Sequence, residues 1–232
     1  MIISDFDRTK PMGVEHVSAI LLSWKRPSNI LRIVNELLTA PPITEVIVWN
    51  NNPELPLNLP GCKVINSSHN FMPFARYCAA LLASERTILF QDDDLLFPRS
   101  SVKRAFSEYL KDRSRIYGTR GRNLDNGKYN SNSVFGECDI VLGQFMLFDK
   151  QLLQSVLQGI LSLAPFDRGD DIAFSLLCDT KHIALGLEYE DLGQSDEHAL
   201  YKQAGHKEKR QKVVDRVLHL KSLALRNGAG KQ

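Results

Sequence analysis

Thr87-Ile88-Leu89-Phe90-Gln91 runs straight into Asp92-Asp93-Asp94, and apolar residues return at once with Leu95-Leu96-Phe97. The leading residues are β-prone and mostly apolar, so they read as a short buried strand. Three carboxylates at a strand's end repel one another and lose solvation, so a fold that keeps them must set cations beside them. Oxygen-only ligands in a row suit a hard divalent ion, Mn²⁺ or Mg²⁺, that keeps waters and bridges to substrate phosphates. In an open α/β sheet the carboxyl ends of the strands are also where ligands bind. A solvated acidic loop is the competing reading, and the apolar flanks speak against it.

A chain of 232 residues suits one domain spanning residues 1–232. With 43% hydrophobic and 24% charged residues it has the composition of a globular protein rather than a disordered one. A net charge of +2 gives no ground for a nucleic-acid partner. No apolar run approaches the roughly 18 residues of a membrane span. Residues 1–10 carry Asp5 and Asp7 and no apolar core, so they do not read as a signal peptide, and a cytoplasmic setting is expected. Cys62, Cys78, Cys138 and Cys178 lack CxxC spacing, which argues against zinc and for free buried thiols in a reducing compartment.

Residues 17–22 form the first convincing strand, followed by the loop Ser23-Trp24-Lys25-Arg26-Pro27. Ser28 is placed to cap a helix whose apolar face is Ile30, Leu31, Val34, Leu37 and Leu38. A second strand over 45–49 runs into the turn Asn50-Asn51-Asn52-Pro53, and a third covers 63–66. A helix over 74–83 puts Ala75, Cys78, Ala79 and Leu82 on one side. This strand–helix alternation predicts a parallel α/β sheet of nucleotide-binding type up to residue 110.

Beyond the aspartates, Pro98 opens a helix with Val102, Phe106, Tyr109 and Leu110 inward. A strand is predicted over 116–121, a mobile polar loop over 122–137, a long apolar strand over 139–148 and a helix over 150–163. Asp170-Asp171 open a further helix, where acidic residues are ordinary complements of the helix dipole. A last strand over 182–189 precedes a helix over 206–223 with Val213, Val214, Val217 and Leu218 on one face. The first turn of that helix is basic, against its dipole, and an anionic ligand would account for it.

Asp5-Phe6-Asp7-Arg8-Thr9 matches the DxDxT nucleophile motif of haloacid-dehalogenase-type phosphohydrolases. That motif should end a buried strand, yet only Met1 to Ser4 precede it, and Lys10-Pro11 follow. Its later acidic partner is also incomplete, because Gly169-Asp170-Asp171 is followed by Ile172, Ala173, Phe174 and Ser175. A phosphohydrolase is therefore a third reading.

Four stretches taken in order resemble the catalytic domain of the exostosin-like glycosyltransferases over roughly residues 17–220. They are Val46-Ile47-Val48-Trp49-Asn50-Asn51, the aspartate triplet with Arg76 upstream, Asp170-Asp171-Ile172-Ala173, and a C-terminal helix carrying His206 and Arg210. The resemblance implies a GT-A fold: a Rossmann-like, mostly parallel sheet flanked by helices, with a smaller mixed part on the acceptor side. Residues 17–110 would be the nucleotide-binding half and 111–225 the acceptor and catalytic half. It implies a metal-dependent glycosyltransferase that moves a hexosyl, pentosyl or N-acetylhexosaminyl group from a UDP-sugar to a glycan or glycoconjugate, with retention of configuration as in the family. The residue types alone leave open inversion by a carboxylate base on the opposite face.

Carried over by position, Arg26 and Asn50 would contact the uridine diphosphate, and Asn70 and Arg76 would lie along the nucleotide. Asp92 and Asp93 would face the ribose and donor sugar, and Asp94 would bind Mn²⁺. Asp171, with Asp170 beside it, would sit at the reacting sugar. Arg210 and His206 would close over the diphosphate. The stretch 122–137 matches nothing in the family, so the acceptor is not inherited. A non-catalytic nucleotide-sugar or glycan-binding module on the same fold is the alternative. Such a module could dispense with Asp171, whereas an enzyme needs both acidic motifs, and both are intact.

Overall fold

The computed structural model describes residues 15–164, 168–194 and 202–229. Asp5 to Thr9, which carry the phosphohydrolase expectation, lie outside the described residues. In the first half β1 (Val17–Ser23), α1 (Pro27–Leu37), β2 (Ile43–Asn50), β3 (Lys63–Asn66), α2 (Ala75–Leu81), β4 (Thr87–Gln91), β5 (Leu95–Leu96) and α3 (Arg99–Tyr109) follow one another. The second half contains the short strands β6 (Tyr117–Gly118), β7 (Gly121–Arg122), β8 (Leu124–Asp125), β9 (Lys128–Tyr129), β10 (Gly136–Cys138) and β11 (Ile140–Val141). It continues with β12 (Phe145–Asp149), α4 (Lys150–Leu163), α5 (Asp170–Leu177), β13 (His182–Ala184), β14 (Glu190–Asp191) and α6 (His206–Ala229).

One eight-stranded sheet, in the order β10-β13-β6-β12-β4-β1-β2-β3, runs through the molecule. Strands β3, β2, β1 and β4 are mutually parallel. Antiparallel β12 joins β4 to β6, and β13 pairs parallel with β6. Alternation along each strand feeds two cores. Ala19, Leu21, Val46, Val48 and Leu89 pack with α1 and α3 on one face. Ile20, Ile47, Ile88 and Phe90 pack with α2, α4, α5 and α6 on the other. Because both faces are covered, the strands are apolar almost throughout.

Several local expectations are corrected. Helix α1 starts at Pro27, with Arg26 before it and no side-chain cap, so Ser28 is not the cap. Ile33 is buried on α1, whereas Leu31 and Leu38 are exposed. On α2 the buried side chains include Arg76 and Tyr77, and Leu82 faces solvent. On α3 Ala105 is buried and Leu110 is exposed. Cys62 and Cys78 are only partly buried, while Cys138 and Cys178 are buried; all four are free thiols.

The second half departs further from the expectations. The apolar run 139–148 is two strands, because the chain leaves the ladder at Leu142–Gln144: β11 pairs with β7 and β12 with β4 and β6. Only His182–Ala184 of the run 182–189 forms a strand there. The polar stretch 122–137 is not a featureless loop, since β8 and β9 form an antiparallel hairpin. Asn126 and Gly127 turn it with positive φ, the standard pair for a two-residue hairpin.

At the end of the parallel strands opposite the aspartates, Glu45 ties four segments together. Its carboxylate accepts from Ser18 on β1, from Lys63 on β3, and from the Ser84 amide (2.7 Å) and hydroxyl (2.8 Å) ahead of β4. Burial by itself raises the pKa of this carboxyl, but the hydrogen bonds from Lys63, Ser18 and Ser84 outweigh it and bring the value from about 4.5 down to about 2. A depressed folded-state pKa contributes stability that is complete above about pH 4.5 and fades as pH falls towards about 2, some 3 kcal/mol in scale. Glu45→Gln should therefore lower stability at pH 7 and flatten its pH dependence between those limits. Urea unfolding of both proteins across that range is the measurement; parallel pH profiles would show that the node is not coupled to folding.

Candidate active site

The carboxyl ends of β1 and β4 deliver the first half of the site. Asp92 to Asp94 leave β4 where Gln91 Nε2 donates to the Leu95 carbonyl (2.9 Å) and turns the chain. Cations do stand beside the triplet, and they are Arg26 and Arg76. Arg26 Nη1 lies 2.7 Å from Asp93 Oδ1 and 3.9 Å from Asp94 Oδ2. Arg76, only 6% exposed, donates from Nη2 to Asp92 Oδ1 (2.8 Å) and from Nη1 to the Gly143 carbonyl (3.2 Å). Its Nε is 3.4 Å from Asp170 Oδ2, so one guanidinium joins the two acidic motifs. Arg76 thus underlies the carboxylates rather than standing free along the cleft.

The second half comes from the starts of α5 and α6. Gly169 precedes α5 at φ +79°, and a Cβ there would meet Val213 at 3.1 Å, so glycine makes the turn that points Asp170 and Asp171 inward. Both aspartates are buried, unlike ordinary dipole complements on a solvated helix end. Asp171 Oδ2 accepts from Arg210 Nη2 (3.0 Å) and the Gly143 amide (3.2 Å), and its Oδ1 accepts from the Ile172 amide (2.9 Å). Arg210 also lies over the Tyr129 ring at 4.9 Å. Tyr77 donates its hydroxyl to the Asp170 carbonyl at 2.8 Å.

These surroundings drive the carboxyls apart. Burial raises both, but at Asp171 the Arg210 charge and hydrogen bonds win and hold it below the usual carboxylate value. Burial pushes Asp170 up to about 6, with Arg76 pulling down and Asp171 and Asp92 adding to the rise. Asp94 is pushed up to about 7 by burial, then by Asp92 and Asp93, against Arg26.

Arg26, Arg76, Arg210 and the five aspartates line one cleft of about 930 Å³, as do Asn70 and His206. Asn50 does not line it. Its amide is spent on the carbonyls of Asn52 (3.2 Å) and Leu55 (2.8 Å) and on Asn66 Oδ1 (2.9 Å), and Asn51 lines the cleft instead. The sequence reading also missed Arg120, Arg122, Tyr129, Gln144 and Arg168, all in the lining. Only the Asn126-Gly127 turn could have drawn attention to Tyr129, three residues after Asn126.

Among the described residues the lining carries eight lysines and arginines against five aspartates, an excess that favours an anionic ligand. Buried polar atoms there without a hydrogen-bond partner among the described residues include Asp94 Oδ1, Gln144 Oε1, Arg122 Nε and Arg210 Nε. No cluster of three His, Cys, Asp or Glu side chains able to hold a metal occurs among the described residues. Asp94 Oδ1 is nevertheless an unspent hard oxygen, which fits a divalent ion that takes its remaining ligands from water and a bound phosphate. No helix among the described residues is long and apolar enough to cross a membrane.

Comparison with known proteins agrees with this architecture. The mannosyltransferase PcManGT from Pyrobaculum calidifontis, solved in complex with GDP-Man and Mn²⁺, has a similar fold with a TM-score of 0.56. The two are 12% identical, and the match covers 97% of this chain and 80% of that one. That likeness shows the GT-A fold. No curated protein matches the sequence. The glycosyl transferase family 64 domain matches residues 17–226, nearly the whole chain, and the chain belongs to that family.

Proposed function

We propose that this glycosyltransferase works in the manner of the exostosin-like enzymes it resembles, moving a sugar from a UDP-sugar to a glycan or glycoconjugate acceptor with a divalent metal ion. The observation that carries the reading is the meeting of unpartnered Asp94 Oδ1 with the buried Arg210–Asp171 pair in one cation-rich cleft. The mannosyltransferase of similar fold was solved with a nucleotide sugar and Mn²⁺, a precedent for donor class and ion on this fold. The uridine base rests on the resemblance.

Transfer leaves a diphosphate, so catalysis needs positive charge where negative charge develops. An ion held at Asp94, Mn²⁺ or Mg²⁺, would supply that charge on one side when bound. Arg210 supplies it on the other, with Nε still unspent, and His206 and Lys207 lie in the same wall. Arg26 holds Asp93 and Arg76 holds Asp92, which supports reading both aspartates as fixed before ligand arrives, facing ribose and donor sugar. Asn70 and Asn51 line the nucleotide end.

Asp171 is ionised and paired, which suits it to stabilise an oxocarbenium-like sugar and makes it a poor base. Asp170 has the higher pKa, but its carboxyl lies against Arg76 and Tyr77. With Asp170 and Asp171 both paired and Asp94 assigned to the ion, the leaving phosphate takes the acceptor's proton on the same face, and configuration is retained. NMR of the first-formed product should show the donor's anomeric configuration; an inverted product would require a base elsewhere in the cleft.

UDP should bind in Mn²⁺ and lose most of its affinity on chelation, because Asp94 cannot hold a diphosphate without an ion between them. Equal affinity by calorimetry with and without EDTA would contradict the metal assignment. Two substitutions separate the acidic motifs. Asp94→Asn should weaken Mn²⁺ and UDP binding together and abolish transfer. Asp171→Asn should leave UDP affinity within a few-fold while turnover falls by about 10²–10³, the scale for one lost electrostatic stabiliser. Wild-type turnover in Asp171→Asn would reduce that side chain to a helix-start residue.

A further inference from the structure

Leu142, Gly143 and Gln144 form the break between β11 and β12, and the two acidic motifs are threaded onto it. The Gly143 carbonyl accepts from Arg76 (3.2 Å) and its amide donates to Asp171 (3.2 Å). The Gln144 carbonyl accepts from the Asp92 amide (3.2 Å). A Cβ on Gly143 would lie 2.9 Å from Arg76 Nη1 and 3.6 Å from Asp171 Cβ, so the strap sits tightly between the motifs. The backbone around Gln144 is thereby occupied, while its side chain lines the cleft with a buried Oε1 that has no partner among the described residues. Such an oxygen is costly to keep unless something arrives to satisfy it. Trp49 Nε1 and Gln91 Oε1 are also buried and unpartnered, but neither residue lines the cleft.

Chemistry narrows what arrives. A diphosphate coordinated to a metal ion has no proton to give, and its oxygens repel a carbonyl oxygen. A sugar hydroxyl has a proton to donate to Oε1 and a lone pair to accept from Nε2, so it satisfies the amide as it stands. The strap fastens the Gln144 backbone to Asp92 and the neighbouring Gly143 to Asp171, so this side chain enters the cleft where the donor sugar is read to lie. We propose that Gln144 is a specificity-determining residue that reads a hydroxyl of the donor sugar. The proposal rests on the reading of the cleft as a UDP-sugar site.

The test compares UDP with intact UDP-sugars, binding each by calorimetry in Mn²⁺ to the wild type, Gln144→Met and Gln144→Leu. The panel holds UDP-hexoses, UDP-N-acetylhexosamines, UDP-pentoses and deoxy analogues of the best ligand. Both variants should bind UDP within about twofold of wild type, which also reports that they fold. The best UDP-sugar should bind them about tenfold more weakly, the scale of one lost hydrogen bond. One deoxy analogue should lose the same factor against the wild type and nothing further against either variant. Equal weakening of UDP and UDP-sugar, or no weakening of either, overturns the assignment, as does a deoxy penalty that persists in the variants. Failure of the wild type to bind UDP or any UDP-sugar overturns the donor-site reading itself, which is distinguishable because no variant is needed to see it.

Discussion

Removing four charged groups from water in one place is the constraint on which the rest of this molecule turns. Asp170 and Asp171 are 6% and 5% exposed, and the arginines that balance them, Arg76 and Arg210, are 6% and 8% exposed. Asp92 joins them through Arg76 at 2.8 Å. Buried carboxylates are tolerable only with excellent pairing and hydrogen bonds to the remaining lone pairs. Arg76 meets that demand from α2 and Arg210 from α6, so both helices must pack against α5 and the sheet before the site exists. Removing either arginine would leave an uncompensated buried charge, so these residues support the fold and the chemistry together.

The sheet explains why the groups meet where they do. Four parallel strands bring their carboxyl ends to one edge, which sets Arg26 and the aspartate triplet side by side. Antiparallel β12 then enters from that edge, and the strap before it puts Gly143 between Arg76 and Asp171. The glycine is needed because a side chain would collide with Arg76. At the opposite end Glu45 binds β1, β3 and the entry to β4, so the parallel half is secured away from the cleft. The hairpin of β8 and β9 completes the wall beside α6. Gln211 on α6 accepts from the Tyr129 amide at 2.7 Å, and the Tyr129 ring lies on Arg210.

Much of this was legible in the residues themselves. The strands at Val17–Ser23 and Lys63–Asn66 and the helix at Lys150–Leu163 follow from apolar runs of the right period bounded by turn formers and an Asp149 cap. The aspartate triplet carried a demand for cations close by, which Arg26 and Arg76 meet. Errors fell where local pattern and packing disagree. Leu31 and Leu38 are apolar yet exposed, because the sheet contacts a different stripe of α1. The run 139–148 has unbroken strand character, but its middle is taken out of the ladder by Arg76 and Asp171. The hairpin in 122–137 carried its own Asn-Gly signal, hidden by the polar composition around it.

By itself the sequence determined the α/β class, the parallel first half, the two acidic motifs and the demand for cations near them. These depend on periodicity and on charges adjacent in the chain, which act over a few residues. Tertiary structure alone decided which cation answers which carboxylate. Arg76 reaches Asp92 across 16 residues and Arg210 reaches Asp171 across 39, and no spacing rule specifies either pair. It also turned Asn50 inward and Asn51 towards the cleft, and brought Tyr129 and Gln144 into the wall. The reason is physical. The orientation of a side chain at the end of an element is set by what packs against it, and those neighbours come from distant parts of the chain.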